Sequence, residues 1–319
     1  MRPSSSGTGP RLRIGLIGWG TVGSALGALI AGGPLPVDLV RIDVLDAERE
    51  RASKLQAGVP VSSADELVAA DDLDVVVELA GGVDGPRAWA GETLRRRAYV
   101  TANKAVLATH GSELAEIAAA HGTALLGSAS VGGGTPMIEM VEHLAATGRI
   151  RSLRGLLNAT TTFILSAMAE GRSYAEALAE AQRAGYAEAD PTFDVEGRDA
   201  AQKLAILASV AWGRWRAERE VDTRGIVGVP SPPGRTIRLL GTGDQEGLRV
   251  GPTELPAGSV LASASGVESV LEIALFDGEL FRIFGPGAGG RVTAGAVCAD
   301  LARLVAGERP ILFGSRAPA

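Results

Sequence analysis

Along residues 11 to about 130, short apolar runs take turns with alanine-rich stretches. The runs at 12–17, 39–44, 75–79, 99–101 and 124–126 are dominated by Val, Leu and Ile, the composition of strands. The stretches between them, SELAEIAAAH for example, place apolar residues at helical spacing. Strands that alternate with helices predict a parallel sheet covered by helices on both faces. From about residue 150 the pattern changes. Three helical stretches (161–170, 173–184 and 197–214) lead into the Pro/Gly segment VGVPSPPG. The strand-like runs TIRLLG, GLRVGPTEL, ESVLEIALF and LFRIFG follow, and TAGAVCADLARLVAG closes the chain as a helix. The predicted organisation is a disordered tail at 1–10, a first domain at 11–150, a second, α+β domain at 151–285, and a segment at 286–319 that returns to the first domain.

Composition then narrows the function. A chain of 319 residues that is 46% hydrophobic can bury the cores of two domains. Its aromatic content of 4% means those cores are built of Ala, Val, Leu and Ile. A net charge of −6 excludes the basic stripe of a nucleic-acid surface. No apolar run reaches the roughly 18 residues of a membrane span, and MRPSSSGTGPRLR does not read as a signal peptide. The single Cys298 cannot close an intramolecular disulfide, and His110, His121 and His143 are too scattered for a zinc site. The expected compartment is the cytoplasm.

The first chemical motif is IGLIGWGTVGSALGALI, in which Gly18, Gly20 and Gly23 form GxGxxG between a strand and a helix. These glycines permit a tight turn and let a pyrophosphate approach the helix N-terminus, so the first domain reads as a Rossmann-type, doubly wound dinucleotide-binding sheet. The end of the second strand, VRIDVLDAERER, chooses between NAD and NADP. Asp46 would bind ribose hydroxyls, while Arg49 and Arg51 keep a 2′-phosphate open. Two further strand ends, VVVELAGG (75–82) and YVTANKAVL (99–107), carry Ala80, Gly81 and Lys104 toward the expected ligand edge. Each also reads as an ordinary strand-to-helix turn. The loop SASVGGGTP (128–136) turns several carbonyls inward and suits a hard cation, or simply connects the domains.

The stretch GYAEADPTFDVEGRDAAQK (185–203) gathers Glu188, Asp190, Asp194, Glu196 and Asp199 ahead of Lys203. Asp199 and Lys203 are four apart, hence on one helix face. An exposed ion pair explains that spacing, but not the choice of lysine. Of 31 basic residues only Lys54, Lys104 and Lys203 are lysine, so arginine serves wherever charge alone is needed. Acids can bind a substrate ammonium, and a lysine among them can donate a proton to a carbonyl oxygen.

The run AQRAGYAEADPTFDVEGRDAAQK closely resembles the signature of homoserine dehydrogenases, and GWGTVG, VELAGG, TANKA, ASVGGGTP and GPGAGG resemble further elements of that family in the same order. The resemblance spans about 11 to 306, and the chain stops after the catalytic core, so a form without an ACT regulatory domain or an aspartokinase fusion is expected. It implies NAD(P)-dependent interconversion of L-aspartate 4-semialdehyde and L-homoserine. It implies Lys203 as general acid, with Asp199 and Lys104 as its catalytic companions. Glu188, Asp194, Tyr186 and Thr160 are then substrate-binding. Gly18, Gly20, Thr21, Val22, Gly23, Ala80, Gly81, Thr101, Lys104, Gly185 and Gly289 are cofactor-binding. Main-chain carbonyls of Ser128, Val131, Gly133 and Thr135 would hold a structural sodium ion. The second domain would supply a homodimer interface.

Four departures from the family pattern accompany the match. Ser128 stands where many relatives have Glu, and NATTT (158–162) replaces NGTTN, with Ala159 and Thr162 changed. Leu45 stands where NADP-using relatives often carry Arg, which favours NAD or dual use. The stretch from Arg224 to Arg235 is short. The changed NATTT loop keeps a second enzyme reading open, a related dehydrogenase acting on another small amino-acid aldehyde or ketone. A non-catalytic dinucleotide sensor would not need Lys104, Glu188, Asp199 and Lys203 together.

Overall fold

Five strands, β1 (Leu12–Ile17), β2 (Val37–Asp43), β3 (Val75–Glu78), β4 (Ala98–Thr101) and β5 (Leu125–Leu126), pair in parallel in the order β2-β1-β3-β4-β5. The computed structural model to which they belong describes residues 11–44, 58–230, 234–264, 266 and 268–314, so the tail expected at 1–10 lies outside the described residues. Helices α1 (Thr21–Gly32), α2 (Ala64–Ala69), α3 (Asp84–Leu94) and α4 (Lys104–His121) alternate with the strands. After β1 the chain adds β2 on one side and then crosses to add β3 on the other. The switch point lies at the carboxyl ends of β1 and β3, where Ile17 pairs with Glu78. Ligands of such sheets sit in the crevice beyond that point.

Alternate strand positions serve opposite faces. Ile14, Leu16, Val75 and Val77 enter one core, and Ile17, Val76 and Tyr99 the other. Both faces are covered, so β3 and β4 are buried at every position. This is why they read as continuous apolar runs rather than as alternations.

The second sheet follows helix α5 (Met137–Ala145). Its strands are β6 (Ile150–Leu156), β7 (Val221–Thr223), β8 (Thr236–Gly243), β9 (Leu248–Leu255), β10 (Glu268–Leu275) and β11 (Leu280–Pro286), ordered β11-β10-β6-β8-β9-β7. The β7–β9 pair is parallel and the other pairs are antiparallel. Helices α6 (Ala159–Ala169), α7 (Tyr174–Arg183), α8 (Thr192–Val195) and α9 (Arg198–Trp212) lie between β6 and β7. The short α10 (Val260–Ser263) precedes β10, and α11 (Gly290–Val305) follows β11. No helix occupies the described residues between β7 and β8, in keeping with the short sequence there.

Strand β6 was not among the expected strands. In IRSLRGL the apolar residues fall three apart with arginines between them, a spacing that imitates a helix. One of its two arginines meets a carboxylate across the sheet. Arg154 stands opposite the buried Glu272 of β10, which in turn faces Arg282 of β11, at N–O distances of 3.4 and 2.8 Å.

Two helices join the halves. Val297 and Leu301 of α11 pack with Leu26 and Ile30 of α1 against the first sheet. Helix α9 is the wedge between the sheets: within 199–211 every residue is buried except the half-buried Lys203. Its Leu204 and Leu207 share one core with Leu107 of α4 and Leu271 of β10. Each such leucine adds roughly 2 kcal/mol by leaving water, so the helix that presents Asp199 and Lys203 is firmly held.

Candidate active site

The turn after β1 is shaped by the three glycines in different ways. Gly18 has φ +95°, and a Cβ there would come within 2.8 Å of the main chain of Leu79 and Ala80. A Cβ on Gly23 would lie 2.1 Å from the Gly18 carbonyl oxygen, so that glycine lets α1 close onto the turn. Gly20 differs: among the described residues nothing lies within 4 Å of its added Cβ. The fold therefore needs Gly18 and Gly23 for its own packing, while Gly20 keeps a space open in front of the helix. Gly20 also caps α1 without a side-chain hydrogen bond, and the first turn of α1 has no acid. Free N–H groups, a favourable helix dipole and open space fit a pyrophosphate. Gly290 packs directly on this turn, where a Cβ would meet Thr21 at 2.7 Å. Gly289 (φ +133°) caps α11 beside it.

Glu78, fully buried at the end of β3, organises the neighbouring edge. One carboxylate oxygen accepts from the N–H groups of Ala80 and Gly81 at 2.7 and 2.9 Å, and the other from the Thr101 hydroxyl at 2.7 Å. The Thr101 oxygen accepts from the Asn103 N–H at 2.9 Å, and Asn103 donates to the Gly82 carbonyl at 2.8 Å. The Asn103 side chain also caps α4, whose first residue is Lys104. Thr101 was expected at the cofactor. Its hydroxyl is engaged inside this network and it is fully buried, and its neighbour Ala102 lines both cavities.

Across the crevice, Lys203 donates to Asp199 Oδ2 at 2.8 Å and to the Leu157 carbonyl at 2.9 Å. Lys104, brought from the first half of the chain, pairs with Asp199 Oδ1 at 3.3 Å, and its ammonium lies 5.7 Å from the centre of the Phe193 ring. Asn158 donates to Asp194 Oδ1 at 2.7 Å and to Asp199 Oδ2 at 2.8 Å. The Thr160 hydroxyl donates to the Tyr186 carbonyl at 2.7 Å. Burial works against the charge of Asp199, yet Lys203 and Lys104 overcome it and hold the carboxyl below its ordinary value. Asp194 goes the other way, raised from its ordinary value by burial and then by Asp199.

Two cavities meet at Lys104. One, of about 330 Å³, is lined by Lys203, Asp199, Asp194, Asn158, Thr160 and Tyr186, with Lys104, Ala102, Gly133 and Gly185 also on its wall. The other, of about 280 Å³, is lined by Val22, Ala80, Gly81, Asn103, Ala102 and Lys104 among others. The predicted residues Lys203, Lys104, Asp199, Asp194, Tyr186 and Thr160 are thus brought together. Glu188 is not part of that wall. It is solvent-exposed on the loop after α7, where its main-chain carbonyl accepts from Gln182. Asn158, Asn103 and Glu78 were not singled out by sequence reasoning, although each sits inside a quoted motif. Their buried hydrogen bonds, rather than their residue types, mark them.

The loop 128–135 turns at Gly132 and Gly133, both at positive φ, and Ser128, Val131, Gly133 and Thr135 are all buried. Its Ser128 donates through both N–H and hydroxyl to Asp300 of α11, at 3.0 and 2.6 Å. The residues read for cofactor choice, Leu45, Asp46, Arg49 and Arg51, lie outside the described residues.

A glycine cradle at a switch point, facing a buried lysine–carboxylate cluster, defines a dinucleotide-dependent oxidoreductase. Family models agree: "Homoserine dehydrogenase, NAD binding domain" matches residues 18–127 and "Homoserine dehydrogenase" residues 136–302. The chain belongs to the homoserine dehydrogenase family. It is 36% identical to the homoserine dehydrogenase of Corynebacterium glutamicum over 340 aligned positions, covering 98% of this chain and 75% of that protein. A solved homoserine dehydrogenase from Thiobacillus denitrificans superposes with a TM-score of 0.87 at 32% identity, over 97% of this chain and 76% of that one. A hyperthermophilic archaeal homoserine dehydrogenase, solved in complex with NADPH, gives 0.84 at 27% identity, over 94% of this chain and 99% of that one. The cofactor is a nicotinamide dinucleotide. Among the described residues no helix is long and apolar enough to cross a membrane.

Proposed function

We propose that the chain interconverts L-aspartate 4-semialdehyde and L-homoserine, with Lys203 as proton donor and acceptor. The observation that carries this reading is the Lys104–Asp199–Lys203 array at the junction of the two cavities. When bound, the nicotinamide supplies the hydride to the aldehyde carbon or takes it from the alcohol carbon. The ammonium of Lys203 has three N–H groups; Asp199 and Leu157 use two, which leaves one for the substrate oxygen. Lys203 gives its proton to that oxygen as the aldehyde becomes an alcohol, and takes it back in the reverse direction. Asp199 has both oxygens engaged by Lys203, Asn158 and Lys104, so it positions and neutralises the lysines. Asp194 retains an oxygen for the substrate ammonium, and Glu188 is assigned to the same ammonium from the exposed loop beside the cavity.

Val22, Ala80, Gly81 and Lys104 are assigned to the cofactor from the 280 Å³ cavity, with Gly20 and Thr21 at its pyrophosphate. NAD is slightly favoured over NADP by Leu45 and Asp46. Buried carbonyls of Ser128, Val131, Gly133 and Thr135 offer the oxygen chemistry of a structural sodium ion. A homodimer is supported by β11, an edge strand that exposes Leu280, Phe281 and Phe284 beside Phe276. A monomer mass in solution would remove that assignment. Steady-state oxidation of L-homoserine with NAD and with NADP at equal concentration tests the reaction and the cofactor together. Turnover is expected with both and faster with NAD; faster turnover with NADP would reverse the cofactor assignment. Negligible turnover beside rapid oxidation of another amino-acid alcohol would replace the substrate.

A further inference from the structure

Among the described residues, Asn158 alone donates side-chain hydrogen bonds to both Asp194 and Asp199. It is 4% exposed, and its remaining side-chain atom is spent as well: Oδ1 accepts from the Thr161 N–H at 2.8 Å and caps α6. We infer that Asn158 is a positioning residue of the reaction, whose two amide N–H groups fix Asp194 and Asp199 and let both stay ionised side by side. This rests on the reading of Asp194 as the ammonium acceptor and Lys203 as the proton donor.

Two carboxylates that share a buried corner disfavour each other's charge. Asp199 has two ammonium partners, Lys203 on its own helix and Lys104 from α4. Asp194, on α8, has no ammonium in hydrogen-bond contact among the described residues; the Asn158 amide donates to it at 2.7 Å, and the Thr160 hydroxyl stands beside it as a second partner. A neutral donor suits this place. It orients Asp194 without satisfying its charge, which leaves the negative field for a substrate ammonium. A cation here would compete with that ammonium, and a carboxylate would force a proton into the corner.

Asn158 therefore has two separable jobs. The Oδ1 cap is structural, and Asp or Ser at an N-cap performs it about as well as Asn. The N–H donation is the functional job, and Asp cannot perform it. Asn158→Asp keeps shape and cap but adds a third carboxylate. It is expected to lose roughly 10- to 100-fold in kcat/KM for homoserine, the scale of a lost hydrogen bond to a charged group. The acid limb of its pH profile is expected to move to higher pH, because the introduced carboxylate, Asp194 and Asp199 then share at least one proton. Its cofactor affinity is expected to stay at the wild-type value. Asn158→Ser keeps a cap oxygen and one donor, and covers the case in which the aspartate variant does not fold. It is expected to show a smaller loss in kcat/KM with a wild-type melting temperature. A wild-type chain inert toward homoserine sinks the proposed reaction and takes this inference with it. An active wild type matched in kcat/KM and pH profile by the folded variants sinks the Asn158 assignment alone.

Discussion

The cofactor cradle is made by main-chain atoms and by the absence of side chains, whereas the Lys203 corner is made by charged side chains that hold one another. At Gly18, Gly20 and Gly23 the relevant quantity is space: two glycines avoid collisions inside the protein and one leaves room outside it. At Asp199 the relevant quantity is charge balance. A carboxylate 5% exposed stays ionised because two ammonium groups and an amide surround it. The first kind of site is local and lies within six consecutive residues. The second needs α4, α6, α8 and α9 to meet, so it exists only in the folded chain.

That contrast can be broken most severely at Lys203. Lys203→Ala is expected to lower turnover by about 10³-fold or more, the upper range for a general acid, while cofactor still binds. Lys203→Arg keeps the charge but cannot give up a proton near neutral pH, so it is expected to be nearly as slow. If the arginine variant retained wild-type turnover, charge alone would suffice and the proton-transfer role would fall.

The cradle is tested by two glycines only three residues apart. Gly23→Ala drives a Cβ into the Gly18 carbonyl and is expected to cost about 1–3 kcal/mol of stability, as overpacking does. Gly20→Ala meets nothing within 4 Å among the described residues, so its melting temperature is expected to fall less than that of Gly23→Ala, by no more than the weaker N-cap costs. Its cofactor dissociation constant is expected to rise about tenfold, equivalent to about 1.4 kcal/mol. Equal effects of the two substitutions on stability would erase the distinction between packing glycines and a ligand-facing one.

A pH-dependent effect is expected at a buried acid that serves neither site. Burial pushes the Asp300 carboxyl up to about 7, against its hydrogen bonds from Ser128. The folded chain therefore holds that proton more tightly than the unfolded chain, whose aspartate titrates near its ordinary value of about 3.9. The sign follows: acidification from above pH 7 toward pH 4 stabilises the fold at this residue, and the charged form carries the penalty at higher pH. Asp300→Asn removes the titration, so the melting-temperature difference between wild type and variant should change steadily across that window in favour of wild type as pH falls. Parallel curves would show that Asp300 does not titrate there.

The parallel sheet and the glycine turn were legible in the sequence because period and composition are local signals. The same holds for Lys203 and Asp199, whose four-residue spacing on an arginine-rich background marked them before any fold was known. Strand β6 was hidden because its apolar spacing imitates a helix and the partners that pair it as a strand are distant in sequence: Glu272, opposite Arg154, lies 118 residues away, which no local window contains. Asn158 and Glu78 were hidden for a related reason. Their importance lies in which donors and acceptors surround them, and those partners come from other elements. Glu188 differs from these: its motif position is clear, and its side chain is exposed on the loop after α7 rather than on the cavity wall.

The most direct measurement is the initial rate of L-homoserine oxidation by the wild-type chain and by Lys203→Ala, with cofactor binding followed in parallel by fluorescence titration. The Lys104–Asp199–Lys203 array predicts cofactor reduction by the wild type, a rate lower by about three orders of magnitude in the variant, and matching cofactor affinities. A variant that oxidises homoserine at the wild-type rate would contradict it.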